Sequence, residues 1–308
     1  MLLEFNRYPN NPLIEAHHLP FPAHSVFNPG AVLLPDGKTA LLLRVEDHRG
    51  LSAIYLARSA DGRTDWTFDP SPMLAPDPDD IHCEWGFEDA RVSFVAELDR
   101  YVITCTAYGG TGPSVYLTTT KDFHTFDRGN VVLTPEDKNA AVFPRRVNGE
   151  WLLLHRPAVA SINSMDIWMS RSNDDMESWR QPEQVLHTRG AGWWDAARIG
   201  IGPPPIETPE GWLQIYHGVR VTMAGPIYRV GAALLDLDEP HIVRARLDRH
   251  LLSPSEQYER VGDVANVVFP AGAIQRGSQL DLYYGAADTS VCVASIDTDE
   301  LLGELLGR

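Results

Sequence analysis

The chain has 308 residues, with 26 Lys and Arg against 42 Asp and Glu, a net charge of −16 with histidine neutral. Such an acidic balance argues against nucleic acid or an anionic membrane as partner, because their phosphates require a basic footprint. A hydrophobic fraction of 44% excludes disorder and supports a sizeable core; a small anionic ligand would need a local island of positive charge.

The N-terminal Met-Leu-Leu-Glu-Phe-Asn-Arg has neither the basic nor the continuous apolar part of a signal peptide. No stretch approaches the roughly 20 apolar residues of a membrane span. Cys83, Cys105 and Cys292 are odd in number and widely spaced, so they read as free thiols rather than disulfide or zinc partners. A cytoplasmic protein is expected.

In chain order, turns at Asp36-Gly37, Asp99-Arg100, Asn148-Gly149, Glu210-Gly211 and Arg276-Gly277 introduce apolar runs of strand length. These runs are Ala40–Val45, Tyr101–Tyr108, Trp151–His155, Trp212–His217 and Leu280–Tyr284. A second run follows each: Ala53–Ala57, Ser114–Thr118, Ile167–Ser170, Tyr228–Leu234 and Val291–Ile296. Helical periodicity is confined to Asp299–Leu306. Aligned on Arg44, Tyr108, His155, His217 and Tyr284, the first runs recur at separations of 64, 47, 62 and 67 residues. That period, with several short strands in each repeat, predicts an all-β five-bladed propeller rather than a sandwich. An Arg58-Ser59-x-Asp61-Gly62…Trp66 segment echoes Arg171-Ser172-Asn173-Asp174…Trp179 and supports the repeat. One domain over residues 1–308 is expected.

Three features carry chemistry. Trp85-Gly86-Phe87-Glu88-Asp89-Ala90-Arg91 sets two carboxylates and a guanidinium among aromatics, where desolvation would raise a carboxyl pKa toward that of a general acid. The bland alternative is a surface turn with an Asp–Arg pair. Lys138-Asn139, His155-Arg156, Arg198 and His217 lie at the ends of apolar strands, where unpaired cations are costly unless an anion joins them; phosphate is the obvious anion. Each could instead meet one of the many acidic residues. Trp193-Trp194-Asp195, Tyr283-Tyr284 with Asp288, and Trp151 could stack on and hydrogen-bond a sugar, or simply fill the core. There is no GxGxxG opening a helix, no phosphate-binding Walker loop, no HExxH and no GxSxG. His17-His18 reads as an exposed pair, and no metal or cofactor is expected.

These motifs together resemble glycoside hydrolase family 130, the inverting β-mannoside phosphorylases and related β-mannosidases. The resemblance rests on Phe27-Asn28-Pro29-Gly30-Ala31, Leu43-Arg44-Val45-Glu46-Asp47, Gly86 to Arg91, Lys138-Asn139, Phe143-Pro144 and Leu154-His155-Arg156-Pro157. It continues through Trp194-Asp195 to Gly200, Gly202-Pro203-Pro204-Pro205, Tyr216-His217-Gly218 and Tyr284 to Asp288, in the family's order. It implies a five-bladed β-propeller with the active site in a central depression. The family's catalytic aspartate, from a Glu-Asp-Pro-Arg motif, falls on Asp89, with Ala90 in place of the proline. The phosphate-binding set falls on Lys138, Asn139, Arg156, Arg198 and His217, with Lys and Arg exchanged at positions 138 and 198. Asp288 falls on an aspartate that binds the mannosyl ring. Asn28, Arg44 and Asp47 join the same subsite, and Glu88, Arg91, His155, Asp195 and Tyr284 are grouped with them as substrate-binding.

The implied reaction is phosphorolysis of a β-1,2- or β-1,4-linked mannoside by single displacement, giving α-mannose 1-phosphate. Inorganic phosphate is the co-substrate, and the acid acts through a sugar hydroxyl. Family hydrolases lack the basic set, so its presence favours phosphorolysis over the alternatives, an inverting hydrolase or a non-catalytic sugar-binding propeller. The chain's lack of long terminal extensions favours mannobiose or a manno-oligosaccharide over mannosylglucose, with β-1,2 linkage preferred. A homo-oligomer is compatible with the family, although no interface is legible.

Overall fold

A computed structural model describes residues 2–127, 129–158, 165–173, 176–190 and 192–308. Strands dominate, and they fall into five antiparallel meanders in chain order. The first contains Ser25–Leu33, Thr39–Glu46 and Ser52–Ser59, and the second Gly86–Val95, Arg100–Tyr108, Ser114–Thr120 and Asn130–Leu133. The third contains Asp137–Val142, Trp151–Pro157, Ile167–Ser172 and Arg180–Leu186. The fourth contains Arg198–Ile201, Gly211–Thr222, Gly225–Leu235 and Val243–Arg246. The fifth contains Val268–Arg276, Gln279–Ala286 and Ser290–Asp297, and the N-terminal Asn6–Arg7 supplies its outer strand. Both chain ends therefore meet in one sheet. A single parallel pair, Ser52 with Gly86, joins the first two meanders, so the strands form four sheets.

All ten expected apolar runs are strands, and each successive pair forms an antiparallel hairpin. Because successive side chains on a strand face opposite ways, each meander feeds two cores. In the first, Ala40 and Leu42 join a core with Phe87 and Ile103 of the second, whereas Leu41 and Leu43 join one with Tyr283 and Val293 of the fifth. The same arrangement joins the second meander to the third, the third to the fourth and the fourth to the fifth. Five cores thus close a circuit of five meanders, with every central strand buried on both faces.

The first run of each pair is the second strand of its meander, and the run that follows is the third. A first strand precedes both, and these first strands pack on one another around the circuit's centre. Ser59 and Asp61 cap the turn after the first meander's third strand, accepting from the Gly62, Arg63 and Thr64 amides. Thr120 and Asp122 do the same after the second meander's third strand. The matching Asp174 lies outside the described residues. The C-terminal helix spans Thr298–Leu306 and is capped by Asp297, whose Oδ1 accepts from the amides of residues 299 and 300. Cys83, Cys105 and Cys292 are free and buried. No described helix is long and apolar enough to cross a membrane.

Candidate active site

Four first strands carry a bulge, and in three of them, the fifth meander's Pro270–Gly272 shift being the exception, it encloses a polar residue. In those three the register shifts between Phe27 and Gly30, between Glu88 and Arg91, and between Lys138 and Ala141. The residues Asn28, Asp89 and Asn139 inside these bulges take φ of 46°, 51° and 52°. Asn and Asp tolerate this left-handed conformation better than other side chains. Each of these three bulges turns a polar side chain out of the ladder toward the centre of the circuit, so the polar stretches that interrupt the strand pattern are the site itself.

Two adjoining cavities lie there. One, of about 290 Å³, is lined by Asp89, Lys138, Asn139, Arg156, Met165, Arg198, His217, Tyr228 and Phe269. The other, of about 150 Å³, is lined by Asn28, Arg44, Glu88, Asp89, Lys138, Tyr228, Val264, Val267, Phe269 and Asp288. Asp89 borders both.

The larger cavity gathers cations that lack carboxylate partners. Among the described residues, no carboxylate comes within ion-pairing reach of Lys138, Arg156 or Arg198; Arg198 donates instead to the Tyr228 hydroxyl at 2.5 Å. Lys138 and Arg156 are directly opposite across two strands. Burial, then the neighbouring Arg198, lowers Arg156 to about 10. Burial and the repulsion of Arg156, Arg91, Arg198 and Lys138 push His217 well below its ordinary value, so its imidazole is neutral. The buried Nδ1 of His217 and Oδ1 of Asn139 have no hydrogen-bond partner among the described residues. At Gly200 a Cβ would lie 2.5 Å from the His217 ring and 2.8 Å from the Asn139 amide, so the missing side chain is what admits both.

The smaller cavity is organised the opposite way. Arg44 donates to Asp89 at 3.1 Å, Glu88 at 3.0 Å, Glu46 at 2.5 Å and Ser52 at 3.1 Å. Asn28 donates to the same Asp89 oxygen, Oδ1, at 2.8 Å, while Oδ2 has no bond among the described residues. Burial alone would raise Asp89, but Arg44, Arg91, Asn28 and Lys138 together hold it low. The rise expected for a carboxyl in this motif falls on Glu88 rather than Asp89, and a carboxyl outside the motif shares it. Burial, and then the charge of Asp89, lifts Asp288 to about 7, and burial raises Glu88 as well.

Five residues grouped with the substrate line neither cavity. Asp47 lies on the loop after the first meander's second strand and pairs with Arg49 at 2.7 Å. Arg91 is buried behind Asp89, donating to the backbone oxygens of Asp89, Gly202 and Ile201, which braces the bulge. His155 faces away from Arg156, between Asp137 at 2.6 Å and Ser170 at 2.9 Å; adjacent strand residues point to opposite faces. Asp195, fully buried, is held by Arg189, Arg246 and the Tyr216 hydroxyl. Tyr284 is in the core and donates to Glu259. Trp151, Trp194 and Tyr283 are core residues too. His17 and His18 are exposed beside Glu15, away from both cavities.

Tyr228, Phe269, Met165, Val264 and Val267 line the cavities without having been singled out in the sequence. Tyr228 had a signal in its place at the start of an expected strand. Register carries Arg198 to Val219 and Val219 to Tyr228, across three adjacent strands.

A family model described as β-1,4-mannooligosaccharide phosphorylase, glycoside hydrolase family 130, matches residues 8–305. The chain belongs to this family. It is 40% identical over 255 residues to a β-1,2-mannobiose phosphorylase of Listeria innocua, covering 83% of this chain and 69% of that protein. It is 36% identical over 306 residues to a β-1,4-mannooligosaccharide phosphorylase of Ruminococcus albus, covering 96% and 89%. The solved structure of a Listeria innocua β-1,2-mannobiose phosphorylase in complex with β-1,2-mannobiose superposes with a TM-score of 0.89 at 33% identity, covering 99% of each chain.

Proposed function

We propose that this protein phosphorolyses β-mannosides, β-1,2- or β-1,4-linked, with inversion, giving α-mannose 1-phosphate and a shortened acceptor. The observation that carries the reading is the group of cations without carboxylate partners among the described residues, Arg156 buried and Lys138 and Arg198 part-buried, beside the neutral His217 and Asn139. Unpaired buried charge is unfavourable, and a phosphate dianion offers these donors the charge-assisted acceptors they lack. Asp89 is the only carboxylate lining that cavity among the described residues. A hydrolase needs a second carboxylate to activate water, whereas phosphate brings its own nucleophilic oxygen.

In this reading the mannosyl ring occupies the smaller cavity against Asn28, Arg44, Glu88 and Asp288. Phosphate attacks the anomeric carbon from the cationic side, and Asp89 delivers the proton to the leaving oxygen, through a sugar hydroxyl in the family's manner. In the ligand-free protein Arg44, Arg91 and Asn28 hold Asp89 in its ionised form, so the acid role requires that bound ligands raise it. Lys138 helps to hold it down, and a phosphate beside Lys138 opposes that pull, so loading the nucleophile moves Asp89 toward its protonated form.

The closed circuit of five meanders supports a five-bladed propeller with the site at its centre. The free thiols suit a reducing cytoplasm. The test is to incubate the protein with β-1,2- and β-1,4-mannobiose, with and without phosphate. Cleavage should depend on phosphate and yield mannose 1-phosphate; equal release of free mannose in phosphate-free buffer would overturn the reading.

A further inference from the structure

The proposed displacement fixes where the acceptor must lie. Attack with inversion places nucleophile and leaving group on opposite faces of the anomeric carbon. The cations come from the third and fourth meanders, so the reading sends the leaving sugar toward the side of the first, second and fifth. On the second of these, outside the lining of both cavities, stands an aromatic pair that the reaction itself does not use. Trp85 and Tyr108 are 43% and 38% exposed, with ring centroids 5.0 Å apart and an edge-on angle of 74°. Most of the molecule's other large aromatics are in its cores.

The register ties this pair to the site. Glu88, which lines the smaller cavity, is opposite Thr106, and Gly86 is opposite Tyr108. Directly opposed residues, and residues two apart, share one face of a sheet. Tyr108 therefore lies on the Glu88 face, one pleat further out. Its cross-strand neighbour Gly86 has no side chain to cover the ring, and none could be added there: φ is 108° and a Cβ would lie 1.8 Å from the Ser52 carbonyl oxygen. Glu84 and Thr111 flank the pair, accepting from the Gly110 amide and contacting His82. An open aromatic face bordered by polar groups fits a pyranose ring, whose C–H face stacks while its hydroxyls find acceptors.

We propose that Tyr108, with Trp85 packed against its edge, is an acceptor-side platform for the sugar residue beyond the scissile bond of a β-manno-oligosaccharide. This rests on the phosphorolysis reading. The test runs the reaction in the synthetic direction, with α-mannose 1-phosphate as donor and mannose or β-mannobiose as acceptor. It is paired with calorimetric titration of β-mannobiose and β-mannotriose in phosphate-free buffer. Tyr108→Ala should raise the acceptor KM about tenfold and leave the donor KM within about twofold, with Tyr108→Phe close to wild type and Trp85→Ala intermediate. The calorimetric affinities should fall in parallel. Equal changes in both KM values, or none, would overturn the platform. Failure of the wild type to bind any β-mannoside would overturn the reading beneath it, whereas unimpaired binding by Tyr108→Ala would overturn the platform alone.

Discussion

The two halves of the central site meet at Asp89 and solve opposite electrostatic problems. On the side of the first, second and fifth meanders, one guanidinium, Arg44, serves three carboxylates, and the network is internally bonded. On the side of the third and fourth meanders, Lys138, Arg156 and Arg198 form no ion pair with a carboxylate among the described residues, and His217 is kept neutral by burial and then by their company. The ion-paired half suits a neutral polyol, which asks only for hydrogen bonds and can meet the Asn28 Oδ1 left without a partner among the described residues. The unsatisfied half is stable only as far as water or an anion compensates it. The difference shows how a chain with a net charge of −16 can hold an anion: among the described residues, every acidic side chain but Asp89 is kept out of the lining of one cavity.

Removing the residue at the junction should separate the halves most sharply. Asp89→Asn is expected to lower kcat about a thousandfold while the stabilisation conferred by phosphate, read as a melting shift, persists. Loss of both together would mean that Asp89 belongs to the phosphate half.

A smaller effect distinguishes the carboxylate half through pH. Asp288 is lifted to about 7 by burial and then by Asp89, against roughly 3.9 in an unfolded chain. Between those values the folded protein keeps a proton that the unfolded chain has released, so stability falls as pH rises through that window and the full loss is present above about 7. Asp288→Asn should match wild type near pH 4 and melt a few degrees higher at pH 8. A constant difference across pH would show that Asp288 is not the protonated member. The smallest effect is expected at Asp47→Ala, which removes a partly exposed pair with Arg49 and should leave turnover within about twofold.

The second and third strands of every meander were legible because their apolar runs and turn signals are continuous. The first strands were not, because Asn28-Pro29-Gly30, Asp89 and Lys138-Asn139 interrupt the strand pattern where the bulges lie. The phosphate set was legible as cations at strand ends, but the common alignment marked His155 rather than its neighbour Arg156. One residue of phase decides which of the two faces the cavity. Asp195 and Tyr284 belong to the family's pattern yet serve packing, since their partners Arg189, Arg246 and Glu259 become neighbours only through the fold. Trp85 precedes the strand Gly86–Val95 and Tyr108 ends the next strand, and the pairing of those two strands brings them together.

The unpaired cations can be tested without turnover. Calorimetric titration of inorganic phosphate into the ligand-free wild type and Arg156→Met, alongside their melting curves, measures both sides of the account. Wild type should bind one phosphate, and Arg156→Met should bind it at least a hundredfold more weakly yet melt higher in the absence of phosphate, having shed an uncompensated buried charge. Undiminished phosphate binding by Arg156→Met would contradict the assignment of this cavity to the anion.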